Sequence, residues 1–340
     1  MFETYLKQVV GGEALTSDQA YNAANMLLQD DISEVKAAAF LAALRTRREN
    51  EEELFGFVKA LQEHAITIDT DLEVIDTCGT GGDGQGTFNI STAAALVVAS
   101  CGVPVAKHGN RAVTSQVGSA DVLESLGVKV DLKPDEAKRL LEKVGITFLF
   151  APYYHPIMKQ VGPLRRGMGV PTVFNFLGPL INPCRLTYQV MGVADGNIQE
   201  TVARTMSKIG RKRAMVVHGH NGMDEISSAG LTRVYEVFGQ DLVKYDMDPR
   251  QLGIVAPDRS NIQGADAATN ARIIVRILDG ELGSCRDVVV LNAAAALMTA
   301  GRVGTMQEGV MAAKEALSSG RTKATLKALV QYSRDGVMSC

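Results

Sequence analysis

The 340-residue chain lacks paired cysteines. Cys78, Cys101, Cys184, Cys285 and Cys340 are scattered with no C-x-x-C among them, so neither a zinc site nor a disulfide framework is indicated, and a reducing cytoplasm fits best. It also lacks any apolar run of about 18 residues, the length needed to cross a bilayer. The opening Met-Phe-Glu-Thr-Tyr-Leu-Lys has no charged-then-apolar leader pattern. No basic surplus exists either: 35 Lys and Arg stand against 38 Asp and Glu, a net charge of −3 at pH 7. That balance argues against broad binding to nucleic acid or to an anionic membrane. Any anionic ligand must then be met by local charge. Internal repeats and low-complexity tracts are missing as well. What is present is a 46% hydrophobic composition, enough for a sizeable core, and 33 glycines, which imply many tight turns.

Five of those glycines fall between Gly79 and Gly86, directly after the strand-like Val74-Ile75. Glycines so placed turn backbone amides toward a ligand where a Cβ would block the approach, which reads as a phosphate cradle. Beyond them Asn89, Ser91 and Thr92 are capping residue types ahead of the apolar run from Ala93 to Val98, so a buried helix is expected to begin there. Its N-terminus adds free amides and a positive dipole end to the same anion site. Gly79, Gly81 and Gly84 also satisfy G-x-G-x-x-G, but a dinucleotide-binding turn needs its helix at the third glycine and an acid about 20 residues later. Here Gln85 to Ile90 intervene, and the stretch from Ser100 to Val105 holds no acid.

Residues 1 to about 70 read as helices alone, with capping boxes at Thr16/Gln19 and Asn50/Glu53. A helix over 33–47 places Val35, Ala38, Ala39, Ala42 and Ala43 on one face, suited either to internal packing or to a subunit contact. From Glu73 strands alternate with helices. Strands are expected at 73–78, 103–107, 127–132 and 146–151, with helices at 91–101, 114–126 and 134–144 between them. Prolines at 156, 163, 171, 179 and 183 break a helical segment over 153–185 that is expected to rejoin the N-terminal helices. Strands resume at 187–193, 213–217, 234–238 and 242–245, followed by helices at 267–278 and 291–300 and on to the C-terminus. The expected fold is α/β: a small all-helical domain (1–70 with 153–185) and a larger α/β domain (73–152 and 186–340) with a mostly parallel sheet covered by helices. Ligands gather at the carboxyl ends of such strands.

Lys107, His108 and Arg111, with Gly109 and Asn110 between them, follow a strand and so belong on the same sheet edge as the glycine turn. Lysine and arginine there neutralise phosphate, and Thr114, Ser115 and Ser119 add hydroxyls. Asp224-Glu225 alone reads as a solvated loop pair. With a polyphosphate in the cradle they become hard oxygen ligands for Mg2+, and Ser91 could offer a third oxygen. His218 and His220 read as structural residues at a strand end. Arg165 and Arg166 are a surface pair unless a carboxylate-bearing substrate gives one of them a planar partner.

In order and spacing, Gly-Thr-Gly-Gly-Asp-Gly (79–84), Thr-Phe-Asn-Ile-Ser-Thr (87–92), Lys-His-Gly-Asn-Arg (107–111), Gly-Ser-Ala-Asp-Val-Leu (118–123), His-Pro (155–156), Val-Phe-Asn-Phe-Leu-Gly-Pro-Leu-Ile-Asn-Pro (173–183) and Asp-Glu-Ile (224–226) resemble the anthranilate phosphoribosyltransferases. The resemblance spans essentially the whole chain. It implies a nucleoside phosphorylase/phosphoribosyltransferase-like fold, a homodimer formed through the helical domain, and magnesium-dependent use of phosphoribosyl pyrophosphate and anthranilate, with neither nucleic acid nor membrane as partner. It implies donor contacts at Gly79, Gly82, Asp83, Thr87, Asn89, Ile90, Ser91, Thr92, Lys107, His108, Gly109, Asn110, Arg111, Ala112, Val113, Thr114, Ser115 and Ser119. Anthranilate would lie near Gly79, Asn110, His155 and Arg165, magnesium at Ser91, Asp224 and Glu225, and catalysis would fall to Lys107, Asp224 and Glu225. Thr114 stands where the family commonly has serine, Gly167 where a better helix former is usual, and Gly264-Ala265-Asp266 in place of Gly-Gly-Asp. A pyrimidine nucleoside phosphorylase and a non-catalytic nucleic-acid-binding relative are the alternatives; the motifs at 107–111 and 224–226 speak against the first and the net charge against the second.

Overall fold

The computed structural model describes residues 1–29, 32–112, 117–254 and 259–335. Helices α1 (Phe2–Val10), α2 (Ser17–Leu28), α3 (Glu34–Arg47) and α4 (Glu51–Glu63) open the chain. Both expected capping boxes form, Thr16 with Gln19 and Asn50 with Glu53, and they fix where α2 and α4 begin. These two helices touch backbone to backbone: a Cβ at Gly56 of α4 would overlap the Ser17 carbonyl and Ala20 of α2. The face of α3 differs from expectation. Ala37, Phe40, Leu41 and Leu44 are the buried residues, while Val35 is 80% exposed. The larger apolar side chains win the core, so Ala39 and Ala42 are turned outward.

The α/β part runs β1 (Ile75–Gly79), α5 (Ile90–Ser100), β2 (Val105–Gly109), α6 (Ser119–Ser125), α7 (Pro134–Val144) and β3 (Ile146–Phe150). Helices α8 (Ala151–Tyr154), α9 (Met158–Met168) and α10 (Phe174–Leu180) follow, then β4 (Tyr188–Gly192), α11 (Gln199–Lys208), β5 (Arg213–His218), β6 (Thr232–Phe238) and β7 (Asp241–Met247). Four helices close the chain: α12 (Ala267–Leu278), α13 (Ser284–Thr299), α14 (Met306–Ser318) and α15 (Arg321–Asp335).

Among the described residues the strands form one sheet in the order β3-β2-β1-β4-β5-β6-β7. The first five strands in chain order are parallel, and β6 and β7 add an antiparallel hairpin at one edge. The chain steps outward from β1 to β3, then restarts at β4 on the other side of β1. That reversal opens a crevice at the carboxyl ends of β1 and β4, where Gly79 lies opposite Gly192. Helix α5, apolar all round, is buried from Ile90 to Ala99 apart from Ser91 and packs against β1 and α13. Val161 of α9 and Phe174, Leu177 and Leu180 of α10 share a core with Phe57 and Leu61 of α4 and Val202 and Met206 of α11.

The expected strand at 127–132 does not form. Val128, Val130 and Leu132 are buried in alternation, but the backbone between them is satisfied by side chains: Lys129 N–H donates to Ser333 Oγ (3.1 Å) and the Leu132 carbonyl accepts from the Tyr154 hydroxyl (3.0 Å). A two-residue burial period arose here without a ladder. The helix expected at 114–126 is described only as α6, from Ser119, and the one expected at 291–300 begins earlier, at Ser284.

Candidate active site

The glycine-rich turn leaves β1 and enters α5 around a cavity of about 390 Å3. Gly81, Gly82, Gly84 and Gly86 all have φ between 64° and 75°, the left-handed region that L side chains avoid, so the loop's path depends on glycine. A segment far along the chain straps it down. Phe88 N–H donates to the Ile262 carbonyl (3.2 Å), Gly264 N–H to the Gly86 carbonyl (2.8 Å) and Gln263 Nε2 to the Gln85 carbonyl (3.0 Å). Asn89 occupies the N-cap position of α5 without capping it. Its amide ties distant segments together instead, donating to the Val117 carbonyl (3.1 Å) and accepting from Asn270 Nδ2 of α12 (3.0 Å).

Lys107, on β2, is 3% exposed and reaches beneath the turn, donating to the Thr77 carbonyl (2.6 Å) and to Ser91 Oγ (3.3 Å). A buried ammonium beside the first turn of α5 puts a fixed positive charge under whatever the glycines hold. His108 next to it turns the other way, its Nδ1 3.0 Å from the Gly178 carbonyl. Burial first, and His155 second, push its pKa down to about 3.

Asp224 and Glu225 arrive from the loop after β5. Asp224 Oδ2 accepts from Gly81 N–H (2.6 Å) and Glu225 Oε1 from Ser91 N–H (3.1 Å), so the acids meet both ends of the turn. Asp224 N–H faces Asp83 Oδ2 at 3.4 Å. Burial, with Asp83 adding repulsion, raises the Asp224 pKa to about 7; burial and then Asp224 raise that of Glu225 to about 8. A crowded set of buried carboxylates with one ammonium among them calls for a further cation. Among the described residues no three His, Cys, Asp or Glu side chains form a closed metal cage. The donor set therefore fits magnesium shared between one or two carboxylates, phosphate oxygens and water.

A second cavity, of about 530 Å3, lies between the sheet edge and α8–α10. Gly79, Asn110, His155 and Arg165 all line it, with Met158, Phe174, Leu177 and Pro179 as apolar walls. His155 is 2% exposed, its pKa pushed down to about 4 by burial, and its ring stands 5.1 Å from that of His108. Arg165 is half-buried with its guanidinium carbon 5.9 Å from the Phe174 ring centre, and burial lowers its pKa.

Of the expected donor-site residues, Gly79, Gly82, Asp83, Thr87, Asn89, Ile90, Ser91, Thr92, Lys107, His108, Gly109, Asn110 and Ser119 line the first cavity together with Asp224 and Glu225. Arg111 and Ala112 do not. The Arg111 guanidinium, about half exposed, is held by Asp121 and Glu124, and Ala112 N–H donates to Asp121 (3.0 Å). Acids on α6 compete for that cation more closely than the cavity does. Val113, Thr114 and Ser115 lie outside the described residues. Gly264, Ala265 and Asn270 also line this cavity and carry no charge pattern that would single them out, because they act through backbone and amide contacts. His218, at the end of β5, has its Nδ1 2.8 Å from the Val193 carbonyl.

Residues 3–65 match the family described as glycosyl transferase family, helical bundle domain, and residues 71–323 match glycosyl transferase family, a/b domain. Helical bundle, switch-point crevice and glycine cradle thus define a glycosyl transferase of this two-part type. Among curated proteins, the anthranilate phosphoribosyltransferase of Syntrophomonas wolfei is 61% identical over 340 residues, covering 100% of both chains. Among solved structures, anthranilate phosphoribosyltransferase from Thermus thermophilus superposes with a TM-score of 0.91 at 38% identity, covering 97% of this chain and 99% of that one. The Saccharomyces cerevisiae enzyme in complex with PRPP and Mg gives 0.90 at 28% identity, covering 98% of each. The chain belongs to the anthranilate phosphoribosyltransferase family.

Proposed function

We propose that this chain transfers the phosphoribosyl group of 5-phosphoribosyl 1-pyrophosphate to the amine of anthranilate, giving N-(5-phosphoribosyl)anthranilate and pyrophosphate, in tryptophan biosynthesis. One observation carries the assignment of residues: Cys78, Gly79, His108, Gly109 and Asn110 line both cavities. A donor whose phosphates lie in the cradle thereby presents its anomeric carbon to an aromatic amine in the chamber.

In the reaction a C–N bond forms at the anomeric carbon as the C–O bond to pyrophosphate breaks, with inversion, and the amine afterwards loses a proton. Charge grows on the departing pyrophosphate. The amides of residues 79–92 and Lys107 meet it, preorganised by the fold. Asp224, Glu225 and Ser91 would hold magnesium, which supplies further charge stabilisation to the leaving group. Arg165 would receive the anthranilate carboxylate, and Asn110 and His155 would orient the ring, holding the amine in line. Burial lowers the pKa of both histidines, to about 3 and about 4, and so favours their neutral forms, which set no cation beside the nitrogen on which positive charge develops as it attacks.

We read residues 1–70 with 153–185 as the helical domain and 73–152 with 186–340 as the α/β domain. The outward alanines of α3 support a homodimer through the helical domain, and the cytoplasm suits the free cysteines at 78, 101, 184 and 285. Loss of anthranilate fluorescence tests the activity. It should require both phosphoribosyl pyrophosphate and magnesium; phosphorolysis of thymidine or uridine with no loss of anthranilate would replace this reading with a nucleoside phosphorylase.

A further inference from the structure

The loop that carries Asp224 and Glu225 is gripped from behind by a residue outside both cavities. Asn292, in the middle of α13, is 3% exposed and followed by four buried alanines, Ala293 to Ala296. Its side-chain amide takes both main-chain groups of Ile226: Nδ2 donates to the Ile226 carbonyl (3.0 Å) and Oδ1 accepts from Ile226 N–H (2.9 Å). The second Nδ2 hydrogen goes to the Val288 carbonyl one turn earlier (2.9 Å). Reversing the amide would set donors against the Ile226 N–H, so its orientation follows from its partners. Across the loop there is no slack. A Cβ at Gly79 would overlap the Asp224 carboxylate, and one at Gly192 would overlap the Asp224 carbonyl. The segment 224–226 is thus wedged between two strand ends that admit no side chain and an amide that fixes its distance from α13.

An asparagine inside an apolar helix is a poorer helix former than leucine or alanine and must have its polar atoms satisfied. An apolar side chain would fill the position without either requirement. We propose that Asn292 is a positioning residue of the reaction: by holding Ile226 at both main-chain groups, it sets the direction in which Asp224 and Glu225 present their carboxylates to the cation on the donor's pyrophosphate. This rests on the reading of those two acids as cation ligands.

The test uses the full chain carrying Asn292→Ala or Asn292→Asp, the second keeping the acceptor for Ile226 N–H and losing the donor, with Asp224→Asn as reference. Mn2+ binding in the presence of phosphoribosyl pyrophosphate is followed by the spectroscopic signal of the free ion, beside melting temperature and the KM of each substrate. Both Asn292 variants should weaken Mn2+ binding by about tenfold or more, as loss of a residue that orients metal ligands does. The KM for the phosphoribosyl donor should rise while that for anthranilate stays unchanged. A lower melting temperature with Mn2+ binding unaltered would assign Asn292 to the fold alone and overturn the proposal, as would failure of both variants to fold. If Asp224→Asn weakens Mn2+ binding and the Asn292 variants do not, only this inference falls. If Asp224→Asn itself leaves binding unaltered, the cation assignment falls and takes this inference with it.

Discussion

The two cavities that meet at Gly79 and Asn110 are built on opposite principles. The cradle is polar and made largely of backbone: glycine amides, a helix N-terminus, one buried lysine and acids brought in by a loop that β4 and α13 hold in place. The chamber is made of side chains on short helices, with Met158, Phe174, Leu177 and Pro179 giving shape and Arg165 the charge. α9 carries Pro163 within it and glycines at 162 and 167, all weak helix formers. On the proposed reaction, charge stabilisation falls to the sheet edge and recognition of the acceptor to the helical side. A change on one side should leave the other side's substrate untouched.

The largest effect is expected from the acids. Asp224→Asn with Glu225→Gln should lower kcat/KM by about 10^3-fold, the scale for removing preorganised charge stabilisation, and shift the magnesium activation curve. An unshifted curve would remove the metal assignment. Lys107→Met should come next, with about a 10^2-fold loss in kcat on the same scale and a raised KM for the phosphoribosyl donor. Arg165→Ala should raise the anthranilate KM by about tenfold or more, the worth of one charged hydrogen bond, while the donor's KM stays level. An equal rise in both would erase the division between the cavities.

The smallest effect concerns pH and stability in the absence of metal and substrates. Asp224 and Glu225 have folded pKa values raised to about 7 and about 8, so the stability linked to them is present below the ordinary carboxylate range and is lost as pH rises through those values. His108 and His155, lowered to about 3 and about 4, act in the opposite sense, their contribution being lost as pH falls from about 6.5. Between about 6.5 and 8 the acids outweigh the last of the histidine contribution, and the melting temperature should fall as pH rises across that window. In Asp224→Asn/Glu225→Gln the downward slope should be lost, leaving only the weak opposite trend of the histidines. A slope that persists in the double variant would place its source elsewhere.

The cradle was legible because its parts are contiguous: glycines, hydroxyls and the start of a buried helix all lie between residues 79 and 92, and Lys107 follows on the next strand. Asp224 and Glu225 could be paired with it only on the condition of a bound polyphosphate or through the resemblance, since 134 residues separate Ser91 from Glu225 and nothing local marks two acids as ligands. The strap at 262–270 was marked only by Gly264-Ala265-Asp266, because it works through main-chain groups and the uncharged amides of Gln263 and Asn270. Arg111 shows the opposite case: its charge suits a phosphate, and in the structure α6 holds Asp121 and Glu124 against its guanidinium. The alternation at 127–132 shows that a two-residue burial period needs only a groove, not a neighbouring strand. Asn292 was invisible among alanines, since its meaning lies in the loop it touches.

The most direct measurement is a crystal structure of the protein with phosphoribosyl pyrophosphate and magnesium. The account predicts pyrophosphate against the amides of residues 79–92 and above Lys107, the metal within reach of Asp224 or Glu225, and the anomeric carbon turned toward Asn110 and the chamber. A donor bound away from this loop, or one whose anomeric carbon faces the strap, would contradict it.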